Sequence, residues 1–385
     1  MEAYLDNAAT TQCLPEAAEE MQRVLLEDFG NPSSLHTKGM HAEEYLKKAR
    51  KTIAKTLKAQ EKEIVFTSGG TESNNLAIFG TARAKRRQGR RILSTQIEHP
   101  SVYNPMVALQ EDGFETSFLP VDKEGLLSLE HLEAMVSEET ILVSIMHVNN
   151  EIGSIEPIEE AARIVHQKAP KAIFHVDGVQ SYGKLALVPK KMGIDLLSVS
   201  GHKLHGPKGS GFLYIREGVY ILPILYGGSQ EAGFRSGTEN VPAIAGLSVA
   251  VDQMFASREA HQAHLSQLKR RLLEHIAGIE GVVLNSSASE ENSAPHITSI
   301  SVPGVRAEVM LHALEDKGVY VSSGSACSSN KATKSRTMVS IGASEEEMES
   351  AIRFSFSYKT TMEEVDYAAA VLRELVPVLK KFKRR

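Results

Sequence analysis

From residue 60 to about 220 the chain repeats one pattern: a short, nearly unbroken apolar run, a polar or glycine-containing turn, then a stretch with helical spacing. "EIVFTSGGTESNNLAIFGTARAK" reads as strand, glycine turn and helix. The runs opening "RRILSTQIEHPSV", "TILVSIMHVNNEIGS", "KAIFHVDGVQS" and "IDLLSVSGHKLHGPKGSGFLYI" are each rich in β-branched residues and end in polar ones. Apolar runs without alternation predict strands covered on both faces, hence a largely parallel α/β sheet with helices on either side. Ligands of such sheets sit at the carboxyl ends of the strands. His99, Asn150, Asp177, Gln180, His202 and Lys203 all fall there.

Beyond residue 240 the pattern changes. Residues 241–280 have helical spacing with one charged face and carry the chain toward a smaller unit. "HITSISVPGVRAEVMLHALEDKGVYVSS" then predicts strand, helix and strand, "EEEMESAIRFSFS" helix and strand, and "TTMEEVDYAAAVLRELVPVLKKF" a long closing helix. The expected division is a large domain over 13–255, with 1–12 and 256–385 forming a small α+β domain. No internal repeat is present, and "SSASEENSA" (286–294) reads as a loop.

The 385 residues, 42% hydrophobic and 24% charged, describe a globular, enzyme-like chain long enough for a sizeable core. The two cysteines, Cys13 and Cys327, allow at most one disulfide, and "MEAYLDNAATT" has neither the basic nor the apolar region of a secretory leader, so the cytoplasm is expected. "VYILPILY" (219–226) is far shorter than the ~20 apolar residues of a membrane span. A net charge of −5 gives no general attraction to nucleic acid, although basic residues gather in "ARAKRRQGRR" (82–91) and "KKFKRR" (380–385). His36, His41, His202 and His205 lack thiol or carboxylate companions at ligand spacing, so no metal is expected.

Three features carry the candidate chemistry. In "SGGTESNN" (68–75), Gly69 and Gly70 permit a tight turn and Thr71 opens a helix whose free N–H groups suit a phosphate, although the same residues also cap ordinary helices. Asp177 ends an apolar strand, where an aspartate is either a helix cap or a charge aimed into a cleft. Lys203 ends another, and a desolvated lysine reaching a cleft is a candidate Schiff-base former. Phosphate anchor, aspartate and lysine match the needs of pyridoxal 5′-phosphate.

The segments "YLDNAATT", "GNPSSLH", "TSGGTESNN", "EHPSV", "MHVNNEIGS", "HVDGVQS", "SGHKLHGPKGSG", "RSGT", "SGSACSS" and "IRFSFS" together resemble the cysteine desulfurases, in the class V aminotransferase-like group of fold-type I pyridoxal-phosphate enzymes. The resemblance runs from residue 4 to about 370. It implies a fold-type I enzyme with a seven-stranded type of sheet, and a homodimer that builds each active site from both subunits. It also implies conversion of L-cysteine to L-alanine, with a persulfide on Cys327 passed to a sulfur-acceptor protein of iron–sulfur assembly or of tRNA or thiocofactor thiolation. Lys203 would hold the cofactor and move the Cα proton, Asp177 would pair with the ring nitrogen, and His99 would stack on the ring. Gly70, Thr71, Ser200 and His202 would hold the phosphate, helped by Thr238 of the neighbouring subunit. Asn150 and Gln180 would lie near the ring hydroxyl and the substrate, and Arg353 would grip the substrate carboxylate. Two departures from the common pattern, Gln230 in "GGSQEAGFRSGT" and "YKTT" after "IRFSFS", bear on subfamily and acceptor. A selenocysteine lyase or aminotransferase of the same fold would share Lys203 and Asp177, and a non-enzymatic platform would retain cofactor without forming alanine.

Cys327 itself lies among Ser322, Ser323, Gly324, Ser325, Ser328 and Ser329, which offer little apolar surface. A mobile loop after a strand ending near Val321 is expected, able to bring the thiol to the substrate and then outward.

Overall fold

The computed structural model describes residues 1–323 and 334–381. Seven strands form the main sheet: β1 (Ile64–Thr67), β2 (Arg91–Thr95), β3 (Glu115–Leu119), β4 (Thr140–Met146), β5 (Ile173–Asp177), β6 (Leu196–Ser200) and β7 (Gly211–Ile215). Their order across the sheet is β1-β7-β6-β5-β4-β2-β3, with β7 alone antiparallel to its neighbours. The short link 201–210 explains that exception, because a parallel return needs a crossover of a dozen residues or more. Its consequence is local to the site: the chain turns back right after β6, which sets His202 and Lys203 on a tight turn beside the ends of β5 and β6.

The unbroken apolar runs have the anticipated cause. Val143, Phe174, Val176, Leu197 and Val199 pack into a cluster on one face, while Leu142, Ile173, Leu196 and Leu213 pack into another on the opposite face. Each fully buried leucine or phenylalanine contributes on the order of 2 kcal/mol. His175 in the middle of β5 is a core histidine with both ring nitrogens partnered, to Ser144 Oγ at 2.8 Å and Ser198 Oγ at 2.9 Å, and burial pushes it down to about 3.

A second, four-stranded antiparallel sheet is built from Ser322–Ser323, Ala351–Ser355, Ile297–Ser301 and Val283–Leu284, in that order. Its core joins Ile300, Phe354 and Phe356 to the closing helix Met362–Lys380 through Val365, Leu372 and Val376. That helix begins with a capping box in which Thr361 and Glu364 satisfy each other's backbone N–H groups. The helical stretch expected over 241–280 consists of two helices, Val241–Ala256 and Arg258–Ile276, which meet at Ser257. The first is buried along most of its length and the charged face belongs to the second.

The first residues of the chain tie the two sheets together. Ala3–Tyr4 pairs in parallel with Val319–Tyr320, Asp6 bridges to Ser355, and Thr11 N–H donates to the His202 carbonyl at 3.0 Å. No helix among the described residues is long and apolar enough to cross a membrane.

Candidate active site

A cavity of about 750 Å³ opens at the carboxyl ends of β5 and β6. Gly70, Thr71, His99, Asn150, Asp177, Gln180, Ser200, His202, Lys203 and Arg353 all line it, residues drawn from positions 70 to 353 of the chain. Thr238 is exposed and does not line it. Its "RSGT" neighbour Arg235 is nonetheless close, donating from Nε to Glu72 Oε1 at 2.8 Å. Cys327 lies outside the described residues, as does the loop expected around it; before that loop the chain resumes strand structure at Ser322–Ser323 rather than stopping near Val321.

Asp177 is held from two sides. The Val179 N–H donates to Oδ1 at 3.0 Å, and Asn74 Nδ2 donates to Oδ2 at 2.8 Å. The first contact is a cap-like turn and the second has no capping purpose, so the carboxylate is both a local stop and an oriented charge. Asn74 Nδ2 also donates to Ser101 Oγ at 2.9 Å, and Ser101 Oγ lies 2.7 Å from His99 Nδ1. His99 caps the helix Pro100–Glu111, its Nδ1 accepting from the Ser101 N–H at 3.1 Å. One hydrogen-bonded line therefore runs from the aspartate to the histidine. Burial lowers the His99 pKa, partly opposed by Asp177 and reinforced by Lys203 and Arg336.

Lys203 Nζ donates to the carbonyls of Ala8 and Ala9, each at 2.6 Å. Behind it, buried Lys184 donates to the Lys203 carbonyl at 3.1 Å, and burial, with the Lys203 charge, takes it down to about 7. His202 Nδ1 meets Thr10 Oγ1 at 3.1 Å, and burial with the nearby lysines lowers it to about 4. Arg353 is almost fully buried on its strand, where Nη1 donates to the Asn150 carbonyl at 2.6 Å and Nη2 to Asp6 Oδ1 at 3.0 Å. Burial raises Asp6 in spite of that guanidinium.

The residues present fit pyridoxal 5′-phosphate on several counts. At Gly70 a side chain has no room, since a Cβ would meet Val179 Cγ2 at 2.7 Å, so the backbone at the start of the helix Gly70–Lys85 can approach an anion closely. Gly69 before it has φ 147°, a conformation that favours glycine. Gln180 donates to the Ala8 carbonyl at 3.0 Å while its Oε1 is buried without a partner, an acceptor waiting for a donor such as a ring hydroxyl. An amine, an oriented carboxylate and a helix N-terminus with hydroxyls complete the donor set. Among the described residues no three His, Cys, Asp or Glu side chains are grouped to hold a metal ion.

Several residues of this cavity escape a reading by strand ends. Asn74 sits one helical turn after Gly70 on the same face, a spacing that could have revealed it. Glu98 and Glu151 each adjoin a residue singled out on the sequence. Burial pushes Glu98 up to about 8 and raises Glu151, which accepts from Ser335 Oγ at 2.5 Å. Asp6 lies in the "YLDNAATT" segment but not at a sheet strand end, and Arg336 carries no such signal.

The comparisons with known proteins agree on one relationship. A family model, Aminotransferase class-V, matches residues 3–368. A putative cysteine desulfurase IscS 1 of Bacillus subtilis is 41% identical over 374 residues, covering 97% of this chain and 98% of that protein. The cysteine desulfurase IscS of Clostridium botulinum is 40% identical over 376 residues, with 97% and 94% covered. Among solved structures, a NifS-like protein superposes with a TM-score of 0.92 at 37% identity, over 98% of this chain and all of that one. SspA in complex with cysteine superposes with a TM-score of 0.81 at 34% identity, over 93% of this chain and 100% of that one.

Proposed function

The chain belongs to the class-V aminotransferase family and, within it, to the cysteine desulfurases, and from that membership we infer that its cavity takes free L-cysteine and a pyridoxal 5′-phosphate cofactor. The observation that carries the reading is the meeting of Lys203, Asp177 and the Gly70 helix start in one cavity with Arg353.

Pyridoxal 5′-phosphate supplies, when bound, an aldehyde for amines and a protonated ring that withdraws electrons from Cα. The helix start at Gly70 and Thr71, with Ser200 and His202, would hold the phosphate, and Thr238 of a second subunit in a homodimer would complete that grip. Asp177, fixed by Asn74 and Val179, keeps a proton on the ring nitrogen. His99 would lie against the ring, and Gln180 and Asn150 would serve the ring hydroxyl and the substrate.

The Ala8 and Ala9 carbonyls give Lys203 Nζ a fixed resting place, and Lys203 would be the amine that holds the cofactor and the base that moves the Cα proton. Arg353 orients the substrate carboxylate, and Asp6 and the Asn150 carbonyl fix the plane of its guanidinium. The Cys327 thiolate attacks the substrate sulfur, the carbon–sulfur bond breaks with its electron pair left on carbon, and a proton is taken up there. L-Cysteine and the Cys327 thiol thus become L-alanine and a Cys327 persulfide, with atoms and electrons balanced.

The persulfide passes to an acceptor protein of iron–sulfur assembly or thiolation in the cytoplasm. Residues 13–255 act as the cofactor-binding domain, with 1–12 and 256–385 as a smaller domain that carries the cysteine. Purified protein given L-cysteine is expected to form alanine and bound persulfide in equal amounts before any acceptor is added. Alanine without persulfide, or no alanine from cofactor-loaded protein, overturns the reading.

A further inference from the structure

Arg336 is a cavity-lining cation with no acidic partner among the described residues. Its Cζ lies 3.6 Å from the centroid of the Tyr103 ring, and that ring is itself stacked on Phe118 at 4.6 Å, so the plane of the guanidinium is fixed. Among the described residues its one hydrogen bond is from Nη2 to the Glu98 carbonyl at 3.3 Å, and its buried Nε has no partner. No carboxylate of the described residues reaches it at ion-pair distance, and residues 324–333, which precede it, contain no Asp or Glu. The two carboxyl groups that do act on it, Glu151 and Glu98, are both pushed by burial toward their protonated forms.

Arg353 is placed differently. Both guanidinium groups leave a buried Nε unmet, but Arg353 is ion-paired with Asp6 at 3.0 Å, whereas no carboxylate of the described residues stands at that distance from Arg336. Arg353 donates to the Asn150 carbonyl and Arg336 to the Glu98 carbonyl, and both guanidinium groups line the one cavity. Lys334, the other cation near this wall, is paired with Glu345.

We propose that Arg336 forms a second anion subsite, which lets the cavity bind amino acids whose short side chain ends in an anionic oxygen group. The proposal rests on reading this cavity as an amino-acid site. In it the α-carboxylate of the ligand goes to Arg353 and the side-chain anion to Arg336, whose unused donors gain a charged acceptor. Such a bond, formed away from bulk water, favours the acidic ligand by about tenfold over a neutral one of the same backbone.

The test compares L-aspartate with L-alanine, which share the α-amino and α-carboxyl groups and differ in the side-chain acid. Binding of each to the full-length holoenzyme is measured by calorimetry, in the wild type and in Arg336→Gln and Arg336→Lys. The wild type is expected to bind aspartate about tenfold more tightly than alanine. Arg336→Gln is expected to lose that ratio while keeping its affinity for alanine, and Arg336→Lys to keep part of the ratio, since the charge stays and the fork geometry goes. An absent preference in the wild type, or a preference that survives Arg336→Gln, overturns the proposal. Equal weakening of both ligands overturns it too, because Arg336 would then hold the α-carboxylate. Cysteine turnover is assayed separately on the same preparations: its absence would count against the desulfurase reading alone, while the aspartate-to-alanine ratio judges Arg336.

Discussion

Ser101 Oγ stands 2.7 Å from His99 Nδ1, and the Ser101 backbone N–H points at the same nitrogen from 3.1 Å. With a backbone donor fixed on Nδ1, the neutral ring carries its proton on Nε2, and burial keeps the ring neutral by lowering its pKa. His99 therefore offers the cavity an N–H rather than a base. Ser101 and Asn74 bond to each other, to His99 and to Asp177, and act through those two as positioning residues. Ser101→Ala is expected to lower kcat by about fivefold, the worth of one hydrogen bond, with KM for cysteine nearly constant. A rise in KM with kcat unchanged would contradict it.

Lys203→Ala is expected to abolish turnover and to prevent borohydride from fixing the cofactor to the chain, while Gly70, Thr71, Ser200 and His202 still retain some of it through the phosphate. Mass spectrometry of the reduced protein checks this. A cofactor adduct on another lysine would remove Lys203 from the mechanism.

Gly70→Ala places a methyl group 2.7 Å from Val179 Cγ2, so the helix start or Val179 must move. Cofactor affinity is expected to fall by roughly tenfold or more, the cost of misplacing a few charged hydrogen bonds. Cofactor content after exhaustive dialysis, read by absorbance, decides the matter.

Glu98 gives a pH dependence with a definite sign. Its folded pKa of about 8 lies above the 4.5 of an exposed glutamate, so its stabilising contribution is fully present below 4.5 and is lost as pH rises through about 8. Glu98→Gln can keep the bonds from Thr95 Oγ1 and the Met146 N–H without the ionisation. Urea unfolding at pH 5.5 and pH 8 is expected to show the variant gaining on the wild type by up to about 1.4 kcal/mol per pH unit. Parallel curves would show that Glu98 is solvated.

The two cysteines should part company under substrate. Cys13 is half-buried and burial raises its pKa, which disfavours thiolate. After treatment with L-cysteine, peptide mass spectrometry is expected to find the added sulfur on Cys327, and Cys327→Ser is expected to lose sulfur transfer while Cys13→Ser keeps it. Sulfur found on Cys13 would refute the assignment.

What was legible in the sequence is what periodicity and strand ends report. The buried strands β1, β2, β4, β5 and β6 stand out because both faces are covered, so apolar residues run together in the chain. Strand β3 does not: it is the edge of the sheet and only Leu119 is fully buried, so "ETSFL" has too little apolar content to stand out. The join at Ser257 was hidden because helical spacing continues on either side of it. In the site, the residues at strand ends were found and the ones that hold them were not. Asn74 is a helix residue that looks like any polar position until Asp177 is placed against it. Arg336 and Asp6 are brought to the cavity by tertiary packing alone, and no local pattern marks such residues.

The resting place of Lys203 has a further consequence for how the protein is made. The Ala8 and Ala9 carbonyls that receive its amine belong to a segment held by later residues: the Leu5 N–H donates to the Tyr320 carbonyl at 2.8 Å, and Asn7 Nδ2 to the Ser355 carbonyl at 3.0 Å. Synthesis runs from the amino end at roughly 5–20 residues per second, so this early segment waits some tens of seconds for the partners that fix it. A ribosome-bound chain can complete the sheet around Asp177 during that time, while the carbonyls that receive the Lys203 amine are fixed only after residues 320 and 355 have been made.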